Sequence, residues 1–319
     1  MEVVGIGNPV CDFLVNTDKL PEPDSGGRLL DYSWQGGGKV ATGLVTLARL
    51  GAKPGIIGVV GDGPYGRFCI KDFKKHGVDV SRLVIDKNQS NSFCVDISEP
   101  KTMSRSLICN GGSRRNLEKS DLDQAYITAA DFLHIENLNS PSLQAARWAQ
   151  EEGMTVVIDA DSYKKDIQEN LEVVDVFIGS EFYYDYLFSE KNYQKNCKKL
   201  QKLGPKVVIF TLGEKGCVGI YEDKYFEQPA FEVEVKDTTG AGDVFHGAFI
   251  YGLIQDWDIE YIAKFASAVA GIKCTRVGGR AGIPTLKTTL NFLEKGKIDY
   301  TEIDKRVEFY RDGVFNYDL

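Results

Sequence analysis

Between residues 132 and 211 the sequence alternates between two kinds of segment, and this alternation constrains the fold more than any other feature. Residues 132–135, 155–158, 174–178 and 206–211 are short β-branched or aromatic runs, and residues 142–152, 165–171 and 192–203 between them carry helical spacing. Successive strands joined by helices cannot be hairpins. They must run parallel, with helices covering both faces of the sheet. An α/β class with a mostly parallel central sheet follows. Residues 3–7 read as an opening strand, residues 42–50 as a helix stopped by Gly51, and residues 54–60 as a buried strand. Residues 241–254, 259–274 and 286–295 close the chain as helices.

Two stretches break this pattern, about residues 12–34 and 83–110. They hold short alternating runs, such as 92–97 and 103–108, with no helix between them. The economical reading is antiparallel strands outside the main sheet, paired into one small sheet that acts as a lid over a cleft. The 319 residues then form a single unit.

Composition excludes several classes. At 43% hydrophobic residues the chain can fill a large core. A formal net charge of −8 argues against nucleic-acid or anionic-membrane binding, which need a basic face. No apolar run is long enough for a membrane span, and the first residues carry no secretory pattern. The seven cysteines are scattered without a CxxC pair and read as buried thiols in a reducing cytoplasm. The three histidines have no metal-ligand spacing.

The chemistry concentrates in Asp237-Thr238-Thr239-Gly240-Ala241-Gly242-Asp243, which opens into an amphipathic helical pattern. Backbone N–H groups of Gly240, Ala241 and Gly242 would have no partner inside that helix. With the helix dipole they make an anion site that small residues let a phosphate approach. Asp243 falls in the first turn, where the dipole should keep its pKa low. A carboxylate beside an anion hole makes sense as the base that takes a proton from a hydroxyl attacking the phosphate. The chain lacks the GxxxxGK[ST] loop, the complete dinucleotide fingerprint and the GxSxG elbow.

DTTGAGDVFHGA closely resembles the C-terminal signature of the ribokinase-like, or PfkB, carbohydrate kinases. Gly36-Gly37-Gly38-Lys39-Val40-Ala41-Thr42 resembles the N-terminal one. The resemblance implies a three-layer α/β/α sandwich with a small β-lid. It also implies Asp243 as base and Gly240, Ala241 and Gly242 as anion hole. Asp12, Gly37, Gly38, Lys39 and Thr42 fall on the sugar side, with Thr42 where the family carries Asn. Thr211, Gly213 and Gly216 resemble the nucleotide-side turn, and the loop from Lys273 through Gly279 resembles the one near adenine. The NxxE motif that helps place Mg²⁺ would fall at Ser180 and Glu181, leaving Glu181 or the nucleotide phosphates to hold the metal. Asp237 lies where relatives help bind a monovalent cation such as K⁺. Lids of such kinases often pair, so a homodimer through the lid is expected.

FHGA, KCTR and GGRAGIP resemble the sulfofructose kinase-like subgroup, although Gly27 stands where that subgroup carries Lys. Arg105, Arg114 and Arg115, in or near the lid, are candidates to read an anionic group on the substrate. A fructose- or ribose-like sugar leads. A sugar phosphate or sulfo-sugar comes next, then a nucleoside stacked on Phe13, Trp34 or Phe93, and last a non-catalytic sugar sensor.

Overall fold

The computed structural model describes residues 1–99 and 104–312. The chain opens with β1 (Val3–Ile6), β2 (Val10–Thr17), β3 (Leu29–Gly37), α1 (Lys39–Leu50), β4 (Pro54–Gly61), α2 (Pro64–His76) and β5 (Asp79–Asp86). β6 (Ser92–Glu99), β7 (Ser104–Asn110) and the short α3 (Gln124–Ile127) follow. Then come β8 (Phe132–Ile135), α4 (Ser140–Glu151), β9 (Thr155–Ala160), α5 (Lys165–Glu169), β10 (Val176–Ser180), α6 (Glu181–Leu187), α7 (Tyr193–Gln201) and β11 (Val207–Thr211). The hairpin of β12 (Cys217–Tyr221) and β13 (Lys224–Gln228) precedes α8 (Ala241–Ile254), α9 (Ile259–Lys273), α10 (Leu286–Lys295) and α11 (Thr301–Asp312).

Nine strands form one sheet in the order β13-β12-β11-β10-β9-β8-β1-β4-β5. All neighbours are parallel except the terminal hairpin, which adds β12 and β13 antiparallel. Alternate strand residues face opposite layers. Val3 packs with α1, α8 and α9 on one side, whereas Val4 and Ile6 join the core that contains residues of α4, α6 and α7 on the other. Strand order runs outward in both directions from the β8–β1 pair. The crevice beyond the carboxyl ends of that pair is the switch point where open α/β sheets hold ligands.

α8 is buried on every side from Val244 to Gly252, so it is not the amphipathic helix its spacing suggested. It is wedged between α1 and α9. A Cβ on Gly247 would lie 2.3 Å from the Gly43 carbonyl oxygen, so α1 and α8 cross backbone to backbone. Lys39 and Asp243 each precede this crossing by one helical turn, and they interact electrostatically.

The small sheet has the order β3-β2-β6-β7. Its outer pairs are antiparallel, but β2 and β6 run parallel, with Asp12 beside Cys94, so the all-antiparallel reading is corrected. Residues 83–86 do not belong to it. They end β5 at the edge of the main sheet, opposite Gly58–Gly61. An edge strand with one covered face alternates apolar and polar residues just as a lid strand does, and the pattern could not separate the two. Met103 lies outside the described residues. Cys94 and Cys109 face each other across β6 and β7, with Cα atoms 4.1 Å apart, and are joined by a disulfide. This corrects the reading of all seven cysteines as buried thiols; the other five are free and buried. Among the described residues no helix is long and apolar enough to cross a membrane.

Candidate active site

Gly240 caps α8 with φ +70°, a left-handed conformation that glycine takes without strain. A Cβ there would also lie 3.0 Å from Gly279 Cα. The first helical hydrogen bond runs from Val244 N to Gly240 O, which leaves the N–H groups of Gly242 and Asp243 ahead of the ladder. Ala241 differs from expectation. Its N–H donates to Thr238 O at 3.1 Å, because the tight entry folds that amide back onto the loop. Asp243 differs too. Enclosure by protein raises its pKa, Asp159, Asp161 and Glu136 raise it further, and Lys39 opposes them. The dipole that should hold the pKa low is outweighed by burial and by a cluster of carboxylates the motif does not reveal.

Asp12 lies in the middle of β2, beside Gln35. Burial pushes its pKa up to about 7, Asp96 and Asp243 add to this, and Arg280 and Arg105 oppose it. Asp12, Asp96, Asp243 and Arg105 therefore share one field. A Cβ on Gly37 would lie 1.8 Å from Asp12 Oδ2, so only glycine leaves that carboxylate its place. Gly38 starts α1 with φ +94°. Lys39 pairs with Asp161 at 2.8 Å. Burial would lower the Lys39 pKa, but Asp159, Asp161 and Asp243 outweigh it and raise it.

Thr42 is buried, and its hydroxyl accepts from Arg280 Nε at 3.4 Å, so it is engaged within the protein. The three arginines do not cluster. Exposed Arg105 projects from β7 opposite Ser98, Arg114 donates to Asn8 and Ser92, and Arg115 pairs with Asp121. Phe13 stacks on Trp34 at 4.5 Å, and Trp34 lies against Phe93. Phe13 follows Asp12 in the strand and so points to the opposite face, which removes these rings as a nucleobase platform in the cleft.

Sequence reasoning missed the floor of the cleft. Glu136, just past β8, accepts from Asn8 Nδ2 at 2.9 Å. Asp159, near the end of β9, is 2% exposed, and neither oxygen has a hydrogen-bond partner among the described residues. His246 Nε2 lies 3.7 Å from it and stacks on His134. Burial lowers both histidines to about 3, so they are neutral. A carboxylate inside the apolar run TVVIDA was the available signal, because strand cores rarely hold one without a task.

Beside the Gly240 turn lies a cavity of about 470 Å³, sized for a small organic ligand. Phe231, Val233, Phe245 and Ala270 give it apolar walls, and Ala241 and Gly242 border it. Thr211, Gly213 and Gly216 line it as well. Ser180, Lys273 and Gly279 are not among its lining residues. Ser180 caps α6 and bonds the Asp161 carbonyl, while Gly279 packs under Gly240. Lys273 is fully buried, with Nζ donating to Asp237 O at 3.0 Å.

The metal candidates are engaged. Glu181 lies 3.2 Å from Lys191 and 3.1 Å from Lys215. Asp237 accepts from the backbone N–H groups of Thr239 and Gly278 and from the Thr239 hydroxyl. Burial would raise its pKa, but Lys273 and these donors lower it. A fixed ammonium already supplies positive charge where a monovalent cation was expected, so the residues present do not fit K⁺. Among the described residues no group of three His, Cys, Asp or Glu side chains could cage a metal.

Residues 1–286 match the profile of the pfkB family carbohydrate kinases. The chain belongs to that family. It is an ATP-dependent carbohydrate kinase, a phosphotransferase that acts on a sugar hydroxyl. Among curated members of the family, 5-dehydro-2-deoxygluconokinase of Clostridium perfringens is 28% identical over 96% of each chain. Among solved structures, the ribokinase of Thermotoga maritima superimposes with a TM-score of 0.79 at 24% identity, over 92% of this chain and 100% of that one. A ribokinase of Arabidopsis thaliana, complexed with ribose and ATP, gives 0.78 at 22%, over 92% and 98%. These structures show the ribokinase-like fold of this pfkB chain.

Proposed function

We propose that Asp243 is the base that deprotonates the attacking sugar hydroxyl, while the N–H groups at the start of α8 receive the migrating phosphoryl group. The single observation that carries this reading is the position of that helix start. Ala241 and Gly242 border the cavity lined by Thr211, Gly213 and Gly216, while the next residue, Asp243, interacts electrostatically with Lys39 and Asp12. ATP enters that cavity and sugar the cleft of Asp12 and Lys39, so the two substrates meet at Gly242 and Asp243. Positioning and fixed electrostatics then supply the catalysis. With Glu181 engaged by Lys191 and Lys215, Mg²⁺ would be held by the nucleotide phosphates and would supply neutralisation of their charge.

The acceptor is a neutral ketose or aldose. Asp12, Asp96, Glu136, Asp159, Asp161 and Asp243 outnumber the cations Lys39, Arg105, Arg114 and Lys164 around the cleft, and carboxylates accept hydroxyl hydrogens well. The exposed Arg105 guanidinium favours a second reading, a sugar carrying a phosphate, sulfonate or carboxylate. The Clostridium relative, by its name, acts on a sugar acid. A coupled ADP-release assay over fructose, ribose, fructose phosphates, sulfofructose and 5-dehydro-2-deoxygluconate separates these. No ADP release with any sugar that binds would overturn the kinase reading of this cleft.

Protonated Asp243 cannot accept a proton, so kcat/KM should fall on acidification at a pH above the ordinary carboxylate range. Asp243 faces Asp159, Asp161, Glu136, Lys39 and Asp12. Asp159→Asn removes a negative neighbour that raises its pKa, so the acid limb should move to lower pH. An unmoved limb would separate Asp159 from the base. Replacing K⁺ by Na⁺ at constant ionic strength should leave kcat within about twofold, since Lys273 is a built-in cation. Strong activation by K⁺ would contradict this.

The active form is a cytoplasmic homodimer paired through the small sheet. The edge strands β3 and β7 expose Leu29, Leu30, Leu107 and Ile108, and open apolar edges favour pairing. Ile108→Lys should shift sedimentation toward the monomer; a wild-type monomer at assay concentration would count against the pairing.

A further inference from the structure

We propose that Arg280 is a positioning residue that locks the sugar-contacting turn to the anion-binding turn, so that hydroxyl and phosphoryl group meet in register. This rests on the reading of Gly37–Lys39 as the sugar side. Arg280 is fully buried, and its planar fork points three ways. Nη1 pairs with Asp72, Nη2 donates to Gly37 O at 3.0 Å, and Nε donates to Thr42 Oγ1 at 3.4 Å. Two of the three directions therefore serve the turn that starts α1.

Peptide geometry makes the Gly37 bond consequential. Across a trans peptide the carbonyl and the following N–H point in opposite directions. Arg280 holds the Gly37 carbonyl on the protein side, so the Gly38 N–H is aimed the other way, and no described residue accepts from it. A sugar oxygen is the acceptor this placement suits.

The backbone around Arg280 reaches the other turn. The Arg280 and Ala281 N–H groups donate to Gln35 Oε1 at 2.7 and 2.9 Å, and Gln35 lies beside Asp12. Gly278 N donates to Asp237 Oδ2 at 2.7 Å, and Gly279 packs under Gly240. One loop thus touches β3 beside Asp12, the Gly37 turn and the approach to the anion site. Behind it, Asp72 also accepts from Tyr310 at 2.6 Å, and Arg306 from α11 donates to Ala281 O at 2.9 Å. A buried ion pair contributes little net stability compared with apolar packing, and its best-attested use is to fix geometry.

The experiment compares four variants by sugar KM, ATP KM, kcat and Tm. Arg280→Lys keeps the charge opposite Asp72 but loses the fork, so sugar KM should rise about tenfold or more, with ATP KM within about threefold. Gly36→Ala would set a Cβ 2.0 Å from Arg280 Nη1 and displace the fork without mutating it; the same split is expected, and it carries the test if the lysine variant does not fold. Tyr310→Phe removes a bond at the far end of Asp72 and should lower Tm while leaving sugar KM unchanged. Asp12→Asn reports on the cleft itself. A raised sugar KM in Asp12→Asn alone overturns the role of Arg280 and leaves the cleft standing; no rise in any variant overturns the cleft. A rise in Tyr310→Phe equal to that in Arg280→Lys reduces Arg280 to stability and also overturns the proposal.

Discussion

Asp243→Asn is expected to lower kcat by about three orders of magnitude, within the range a positioned general base supplies. The amide keeps the shape of the side chain but cannot take a proton. Folding should not suffer. The carboxylate sits among Asp159, Asp161 and Glu136 and is raised by them, so removing its charge relieves repulsion. The expected signature is a lost kcat, an unchanged or higher Tm at neutral pH, and a KM for sugar and ATP within a few-fold of wild type. Turnover near wild type in a folded Asp243→Asn variant would exclude Asp243 as the base. A collapse in Tm would instead mean that the carboxylate is structural.

Gly240→Val should have the second largest effect. Position 240 needs φ +70°, which a β-branched residue adopts only with strain. Its Cβ would also press on Gly279 Cα at 3.0 Å, a backbone atom that cannot swing away. The turn must open, and the Gly242 and Asp243 N–H groups lose their aim. Losing such donors costs roughly 10²–10³ in kcat. Gly240→Asn should be milder, since asparagine tolerates this conformation better. Gly296→Val is the control. Gly296 ends α10 with a similar φ, +66°, and is none of the residues of the cavity or the cleft, so stability should fall while turnover remains close to wild type. Equal losses of kcat at 240 and 296 would show that backbone strain alone, rather than the aim of the amides, explains the effect.

Much of the parallel sheet was readable because β8 to β11 are runs of valine, isoleucine and phenylalanine separated by helical spacing. Both ends of that sheet were harder. β5 is a half-covered edge strand and mimicked a lid strand, and the β12–β13 hairpin is too short to announce itself. α2 begins at Pro64 and, with only five buried residues, carries a thin apolar stripe. The DTTGAGD motif marked the right turn, but local spacing could not say which amides stay open. Thr238 takes the Ala241 N–H through a backbone turn. Nor could it give the state of Asp243, because Asp159, Asp161 and Glu136 are brought beside it by strands remote in sequence. The Cys94–Cys109 bond depends on the register of β6 against β7, and Arg280 on contacts that span more than half the chain. Local patterns report periodicity and turn chemistry; charge fields and long-range struts are properties of the assembled cleft.

The most direct measurement is a crystal structure with ADP, aluminium fluoride, Mg²⁺ and the sugar found active in the ADP-release panel. The fluoride should sit against the N–H groups of Gly242 and Asp243, and the Asp243 carboxylate should lie about 2.6–3.2 Å from the acceptor hydroxyl. A fluoride bound away from the start of α8, or an acceptor hydroxyl facing any base other than Asp243, would contradict the account.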